Sequence, residues 1–183
     1  MASKESVAAL EKHIKDFKPD HRICLGDMFD LRSLRKGVSN QDSEHYDTLV
    51  SDLTMAYGML ERLRPTVFLN GNHEYRLYRV AEEAANGIVR QYATEGIEKL
   101  ETYLRKMGCK VYPYHYQKGV HTLGKVAFIH GYSASQAAVK QSAEVYSPPG
   151  GATVMGHLHR IEAVHAVRPV SYTHLTLPTK RIV

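Results

Sequence analysis

The sequence predicts an α/β fold, and three observations lead to that prediction. Segments whose apolar residues recur at helical spacing alternate with short apolar segments typical of buried strands. Four of these predicted strands end directly in a cluster of glycine and polar residues. The 183 residues are 43% apolar and 23% charged, which is ordinary for about one globular domain and excludes disordered, collagen-like and coiled-coil chains.

The N-terminal part of the chain reads as helix, strand, loop, helix and strand. Val7, Leu10, Ile14 and Phe17 recur at helical spacing, which predicts a first helix capped at Ser3 and ended by Pro19. The predictions that follow are a strand at 22–26, a basic loop at 31–41, a helix through 46–60 and a buried strand at 66–70.

The rest of the domain continues this alternation, with a proline- and glycine-rich loop at 147–151. The last 13 residues, 171–183, have neither helical nor strand spacing, so we assign the domain to 1–170. The tail is interpreted as non-native sequence, with an ordinary irregular tail as the alternative. The elements predicted after residue 70 are helices at 76–85 and around 97–107, strands at 110–116 and 125–130 around a turn at Gly119 or Gly124, a short helix at 134–142, and strands at 152–156 and 160–167.

Composition limits which cellular compartment and which kinds of partner are expected. No apolar run approaches the ~18 residues needed to span a bilayer, and the N-terminus lacks an apolar leader region, so we expect no membrane partner. Two cysteines, Cys24 and Cys109, cannot form a disulfide framework, which makes a cytoplasmic location the default. The net charge of +5 slightly favours partners that carry phosphate.

Polar clusters stand at the carboxyl ends of four predicted strands, where ligands collect in open α/β sheets. Their carboxylate, amide and imidazole groups suit Mn, Fe, Zn or Ni, and the lack of cysteine ligands disfavours a structural zinc site. The donors outnumber those that one catalytic metal needs, so two divalent ions sharing one carboxylate are expected. The clusters are Gly26-Asp27-Met28-Phe29-Asp30, Gly71-Asn72-His73-Glu74, His130-Gly131 and Gly156-His157-Leu158-His159.

These blocks, in this order, resemble the calcineurin-like metallophosphoesterase superfamily, and most of all its small phage and bacterial members. The matching motifs are G-D-x-x, G-N-H-[DE], a lone H and G-H-x-H, spread over 26–159. The resemblance implies a four-layer α/β/β/α sandwich of two mixed sheets flanked by helices. It also implies hydrolysis of phosphomonoester or phosphodiester bonds by a hydroxide that two metal ions activate.

The resemblance further implies a role for each matching residue. Asp27 would bridge the two ions. Asn72, His130 and His157 would complete the second metal site, and His159 would belong to the first. His73 would donate a proton to the leaving oxygen, and Glu74 would orient His73.

One block of the family pattern, D-x-H on the first strand, has no match before Asp27. We therefore expect a domain truncated at its first strand, with one metal site incomplete, so that one ion binds well, the other poorly, and activity is low. The alternative is a catalytically impaired or inactive fragment that binds a single metal. A metal-dependent binding module is a third, weaker possibility.

The expected substrate is a phosphorylated small molecule or a nucleic acid, and the oligomeric state stays open. Arg32 and Arg76 flank the polar clusters and are candidates for contact with substrate phosphate, with a solvated basic face as the alternative. Alternating tyrosines at 112, 114 and 116 indicate packing on an edge strand or, alternatively, a platform for stacking bases.

Overall fold

The computed structural model describes residues 4–35 and 44–165. Over these ranges the chain forms five α-helices and two three-stranded sheets, which confirms the α/β class. None of the helices in these ranges is both long enough and apolar enough to cross a membrane. The elements are α1 (Lys4–Phe17), β1 (Ile23–Cys24), a 3-10 helix (Arg32–Leu34), α2 (Glu44–Leu63), β2 (Val67–Leu69), α3 (Asn72–Glu83), α4 (Gly87–Lys106), β3 (Lys110–Tyr112), β4 (Val120–Leu123), β5 (Val126–Ile129), α5 (Ala138–Tyr146) and β6 (Ala152–Met155).

The first sheet has the order β1-β2-β3 and is parallel between both pairs of neighbouring strands. Its central strand β2 is apolar and buried at every position, as expected for a parallel strand covered on both faces. Both sheets were expected to be mixed, and for this one the expectation is wrong over the described residues. Helices connect its strands, so all three carboxyl ends lie at one edge.

The second sheet, β4-β5-β6, is mixed. A hairpin with Gly124 at a φ of 59° joins β4 to β5 in antiparallel pairing, and β5 pairs with β6 in parallel. The prediction that segment 110–116 pairs with 125–130 is wrong. Pro113 offers no N–H to a ladder, so β3 ends at Tyr112 within the first sheet, and the partner of β5 is the unpredicted strand β4.

Several further boundaries differ from the predictions, and the helix predicted around 97–107 begins already at Gly87. Residues 160–165 form no strand, because this segment is exposed, with Ile161 fully so, and pairs with no neighbour there. The predicted loop at 31–41 begins with the 3-10 helix, and the last helix starts at Ala138 rather than 134. The predicted cap Ser3 and the tail 171–183 lie outside the described residues.

The core lies between the first sheet and helices α2 and α4. Phe29, Leu60, Phe68 and Leu104 are almost completely buried there, and Tyr57 packs edge-on against the Phe29 ring at 5.4 Å between centroids. Burying each such side chain contributes roughly 1.5–3 kcal/mol, so this core fixes the strand ends from which the candidate site projects.

Candidate metal centre

Four side chains from the two sheets converge at the carboxyl ends of their strands. Asp27 follows β1, Asn72 begins α3 after β2, His130 follows β5 and His157 follows β6. Asp27, His130 and His157 each offer a ligand atom within 4.8 Å of the other two. Asn72 Oδ1 lies 3.0 Å from His130 Nε2 and 2.9 Å from His157 Nδ1. The structure thus brings together four of the five predicted metal ligands.

The protonation of His130 follows from its surroundings. Its ring is buried, and Nδ1 lies 2.6 Å from the carbonyl oxygen of Leu25, which can only accept a hydrogen bond. Nδ1 therefore carries the proton. Burial lowers the pKa of His130, although the Asp27 carboxylate opposes this, so we take the ring as neutral. Nε2 then presents a lone pair to the other donors.

That lone pair faces atoms that cannot donate to it. Asn72 Oδ1 lies 3.0 Å and Asp27 Oδ2 lies 3.4 Å from His130 Nε2, and both are acceptors. Converging acceptors in a largely buried position repel one another unless a cation lies between them. Two oxygens and two imidazole nitrogens form a donor set that fits a divalent ion such as Mn, Fe, Zn or Ni.

Local backbone geometry permits this convergence. Asp27 and His157 adopt left-handed conformations, with φ of 56° and 71°, which are uncommon for residues other than glycine and tend to cluster at functional sites. Gly71 lets two loops approach closely, because a Cβ there would lie 2.2 Å from Asp27 Oδ1. Close approach is thus the reason for glycine at this position.

Asp27 is held by the first turn of α3. Gly71, at the N-cap, has no side chain to accept a hydrogen bond, and Asp27 Oδ1 instead accepts one from the backbone N–H of His73 at 3.0 Å. The positive end of the helix dipole favours a carboxylate at this position. With Oδ1 committed, Oδ2 is the oxygen that faces His130.

Glu74 does not make the contact that the family resemblance implies. Instead of orienting His73, its buried carboxylate accepts hydrogen bonds from the backbone N–H groups of Asp27 and Phe29, both at 2.9 Å, and of Gly71 at 2.7 Å. Burial raises the pKa of Glu74 to about 7, and the three hydrogen bonds oppose that rise. Glu74 is therefore a positioning residue that ties the two loops together.

The partner of His73 is Asp30. His73 Nδ1 lies 3.2 Å from Asp30 Oδ1, and His73 Nε2 lies 3.9 Å from Asp27 Oδ2. Nε2 is thus the ring nitrogen nearer the converging donors. Asp30 was not among the predicted site residues. Its place three residues after Asp27, in the same strand-end cluster, was the available signal.

His159 lies outside the group of four donors. It is exposed and left-handed, with a φ of 50°. Burial is the largest effect that lowers the pKa of His73, and the electrostatic effect of His159 is a smaller one in the same direction. The structure therefore does not bring the fifth predicted metal ligand, His159, into the group of converging donors.

The two predicted phosphate-binding arginines occupy different environments. Arg76 is largely buried, and its Nη1 donates to the carbonyl oxygens of Asp30 at 2.7 Å and Leu31 at 3.4 Å. The guanidinium thus holds the loop after β1, which disfavours the predicted phosphate contact. Arg32 is exposed, and its charge acts on the carboxyl of Asp52.

Comparisons of the chain with protein-family models, curated proteins and solved structures gave no significant match. What supports a function is therefore the geometry of the site itself.

Proposed function

We propose that the chain is a metal-dependent phosphoesterase of the calcineurin-like type, which hydrolyses phosphomonoester or phosphodiester bonds. The observation that supports this best is the convergence of Asp27, Asn72, His130 and His157, in which the His130 lone pair faces two oxygen acceptors. A divalent ion held there would supply a water of lowered pKa and neutralise phosphoryl oxygens. The proposal includes the four-layer arrangement of the two sheets.

His73 is the proposed general acid. Its Nε2 is turned toward the donors, and the carboxylate of Asp30 beside Nδ1 fixes the ring orientation and favours the imidazolium form, from which Nε2 can deliver a proton to the leaving oxygen. A positioned general acid typically contributes about 10²–10⁴-fold to such a reaction. Glu74 and Arg76 contribute by holding the loop that carries Asp27 and Asp30.

We propose one well-held ion rather than two. The four converging donors suffice for a single ion, and His159 lies outside their group. A second ion would have only Asp27 and His159 of the predicted ligands, so it would bind weakly. The expected substrates are phosphorylated small molecules or nucleic acids.

The test is hydrolysis of bis(4-nitrophenyl) phosphate with Mn²⁺, before and after chelation with EDTA. Asp27→Asn and His157→Ala should each lower kcat/KM by at least about a hundredfold, because even substitutions outside the direct ligands commonly cost 10–100-fold. His13→Ala is the matched control, since His13 is exposed on α1 and stacks on Phe17.

Hydrolysis that persists with EDTA, or an equal loss in His13→Ala, would overturn the proposal. Equilibrium dialysis against Mn²⁺ distinguishes the proposed enzyme from the alternative, an inactive fragment that binds a single metal. A chain that retains one ion but hydrolyses no phosphoester with any of the four metals is the inactive metal-binding fragment instead.

A further inference from the structure

Three tyrosines form a continuous row beside the candidate metal centre. Tyr75 lies in the first turns of α3, Tyr114 follows β3 and Tyr132 follows β5, so each comes after the carboxyl end of a strand. The Tyr114 ring centroid lies 5.5 Å from that of Tyr75 and 5.0 Å from that of Tyr132. Tyr75, Tyr114 and Tyr132 are called the tyrosine row below.

The tyrosine row adjoins the donors directly. The Tyr114 ring packs edge-on against the His130 ring, with centroids 5.8 Å apart and planes at 73°. A ligand whose phosphate occupies the metal centre would therefore have an aromatic surface one ring away.

The surroundings of the row hold its rings in place. Tyr132 donates a hydrogen bond to the backbone oxygen of His115 at 2.8 Å. Tyr75 stacks on Tyr78, with planes 14° apart, and the Tyr78 hydroxyl donates to Glu101 at 3.1 Å. Rings fixed in this way lose little freedom when a ligand stacks on them.

The row is not part of the main apolar core. None of its three members belongs to the core cluster between the first sheet and helices α2 and α4. Tyr75 is 39% exposed, and Tyr114 and Tyr132 are half-buried. Large aromatic surface that stays accessible next to a polar site favours ligand binding over packing alone.

We infer that the tyrosine row stacks the nucleobase of a nucleoside phosphoester whose phosphate lies at the metal centre. This inference rests on the proposed function and narrows its substrate class to nucleotides or nucleic-acid ends, which share the same base and phosphate. Tyrosine faces accept any base, so the row would select for an aromatic ring rather than for a sequence.

The test compares two esters with the same leaving group, thymidine 5′-(4-nitrophenyl phosphate) and methyl 4-nitrophenyl phosphate, in the presence of Mn²⁺. Tyr75→Leu should raise KM for the thymidine ester roughly tenfold, with little change in kcat and none for the methyl ester. Tyr75→Phe, which keeps the ring, should restore KM. Tyr92→Leu is the matched control, because Tyr92 is 58% exposed on α4.

A second readout needs no catalysis. Binding of thymidine 5′-monophosphate, without metal, is followed by tyrosine fluorescence, since the chain has no tryptophan. Binding that Tyr75→Leu weakens supports the row even if no ester is hydrolysed, in which case the proposed function alone fails. Hydrolysis with the same KM for both esters, or a Tyr75→Leu effect equal to that of Tyr92→Leu, overturns the row and leaves the proposed function standing.

Competition then identifies the source of the nucleobase. Stronger inhibition by a short thymidine oligonucleotide than by the monophosphate indicates a nucleic-acid end, and the reverse order indicates a free nucleotide. Inhibition in either order that Tyr75→Leu weakens supports stacking on the row, and inhibition that Tyr75→Leu leaves unchanged, or none by either compound, overturns it.

Discussion

At the scale of single residues, the proposed metal centre depends on which ring nitrogen of His130 carries the proton. The hydrogen bond from Nδ1 to the Leu25 carbonyl turns Nε2 into a lone pair, and that lone pair points at two oxygens. If no acceptor lay beside Nδ1, Nε2 could carry the proton instead and donate it to Asn72 Oδ1. The cluster would then be an ordinary hydrogen-bond network. The Leu25 carbonyl therefore decides whether His130 offers a lone pair to a cation or makes an ordinary buried hydrogen bond.

Gly71→Ala tests the close approach that shapes the site. The added Cβ would lie 2.2 Å from Asp27 Oδ1 and 2.6 Å from the Asp27 nitrogen, so backbone must move. We expect the free energy of unfolding, measured with urea, to fall by roughly 1–3 kcal/mol, together with loss of Mn²⁺ binding.

Gly58→Ala is its matched control. Gly58 lies within α2 with open space around its missing Cβ, so the same substitution should raise the free energy of unfolding by about 0.5–1 kcal/mol. Equal effects at the two positions would show that Gly71 is not a packing requirement.

Asp52→Asn tests a buried carboxylate outside the site. Asp52 is 5% exposed and its Oδ2 has no hydrogen-bond partner, and burial, with the negative charge of Asp30, raises its pKa. The native state therefore holds the extra proton, so stability falls as pH rises from about 3.9 through the raised pKa.

In the Asp52→Asn variant, the free energy of unfolding should no longer decrease through this site as the pH rises. At pH 7 it should be larger than that of the wild type. Urea unfolding at several pH values between 4 and 7 measures it, with the exposed Asp16→Asn as the control. A variant less stable than the wild type at pH 7, with its pH dependence intact, would contradict this reading.

At the scale of elements, three side chains of α3 fix the backbone of the loop after β1. Glu74 accepts the N–H groups of Asp27 and Phe29, Arg76 donates to the carbonyl of Asp30, and Arg79 donates to that of Leu34 at 3.0 Å. The acidic side chain thus accepts from backbone N–H groups, and the two basic side chains donate to backbone carbonyl oxygens, along 27–34. This explains why a loop with two left-handed non-glycine residues, Asp27 and Leu31, keeps one conformation.

Arg79→Met should therefore weaken the fold. The substitution leaves the Leu34 carbonyl without its charged donor, and we expect a loss of about 1–2 kcal/mol in the free energy of unfolding by urea. Arg105→Met is the control, because Arg105 is exposed and pairs with Glu101 of the same helix, α4, where such a pair contributes less than about 0.5 kcal/mol. Equal losses would mean that the loop is not held by α3.

Local signals predicted some elements and missed others for physical reasons. Glycine next to polar residues at a strand end is a local pattern, so Asp27, Asn72, His130 and His157 could all be placed after strands from the sequence. Strand β4 was missed because its last two residues, Thr122 and Leu123, are exposed and the segment has no apolar run.

Side-chain partners could not be predicted in the same way, because they depend on how distant segments meet. The motif placed Glu74 beside His73, but burial against two loops directs its carboxylate to backbone N–H groups instead. Asp30 is then the carboxylate beside His73 Nδ1. Only tertiary packing decides between the two carboxylates.

At the scale of the whole molecule, the four donors join the two sheets. Asp27 and Asn72 follow strands of the first sheet, and His130 and His157 follow strands of the second. An ion bound by all four would link both sheets and would bind the folded chain far better than the unfolded one, where the donors are far apart along the chain.

Metal should therefore raise the thermal stability. At a Mn²⁺ concentration about 100 times Kd, the gain is about 2.7 kcal/mol, which corresponds to an increase in Tm of roughly 5–10 °C for a chain of this size. Scanning calorimetry with Mn²⁺ and with EDTA measures the shift. The shift should disappear in Asp27→Asn and persist in His13→Ala, and a shift of equal size in both variants would place the ion elsewhere.

The most direct measurement is an anomalous difference map from a crystal of the protein soaked with Zn²⁺. We expect a strong peak within about 2.0–2.2 Å of an Asp27 carboxylate oxygen, Asn72 Oδ1, His130 Nε2 and His157 Nδ1. A map without density between these four atoms, at a Zn²⁺ concentration that gives peaks elsewhere on the molecule, would contradict it.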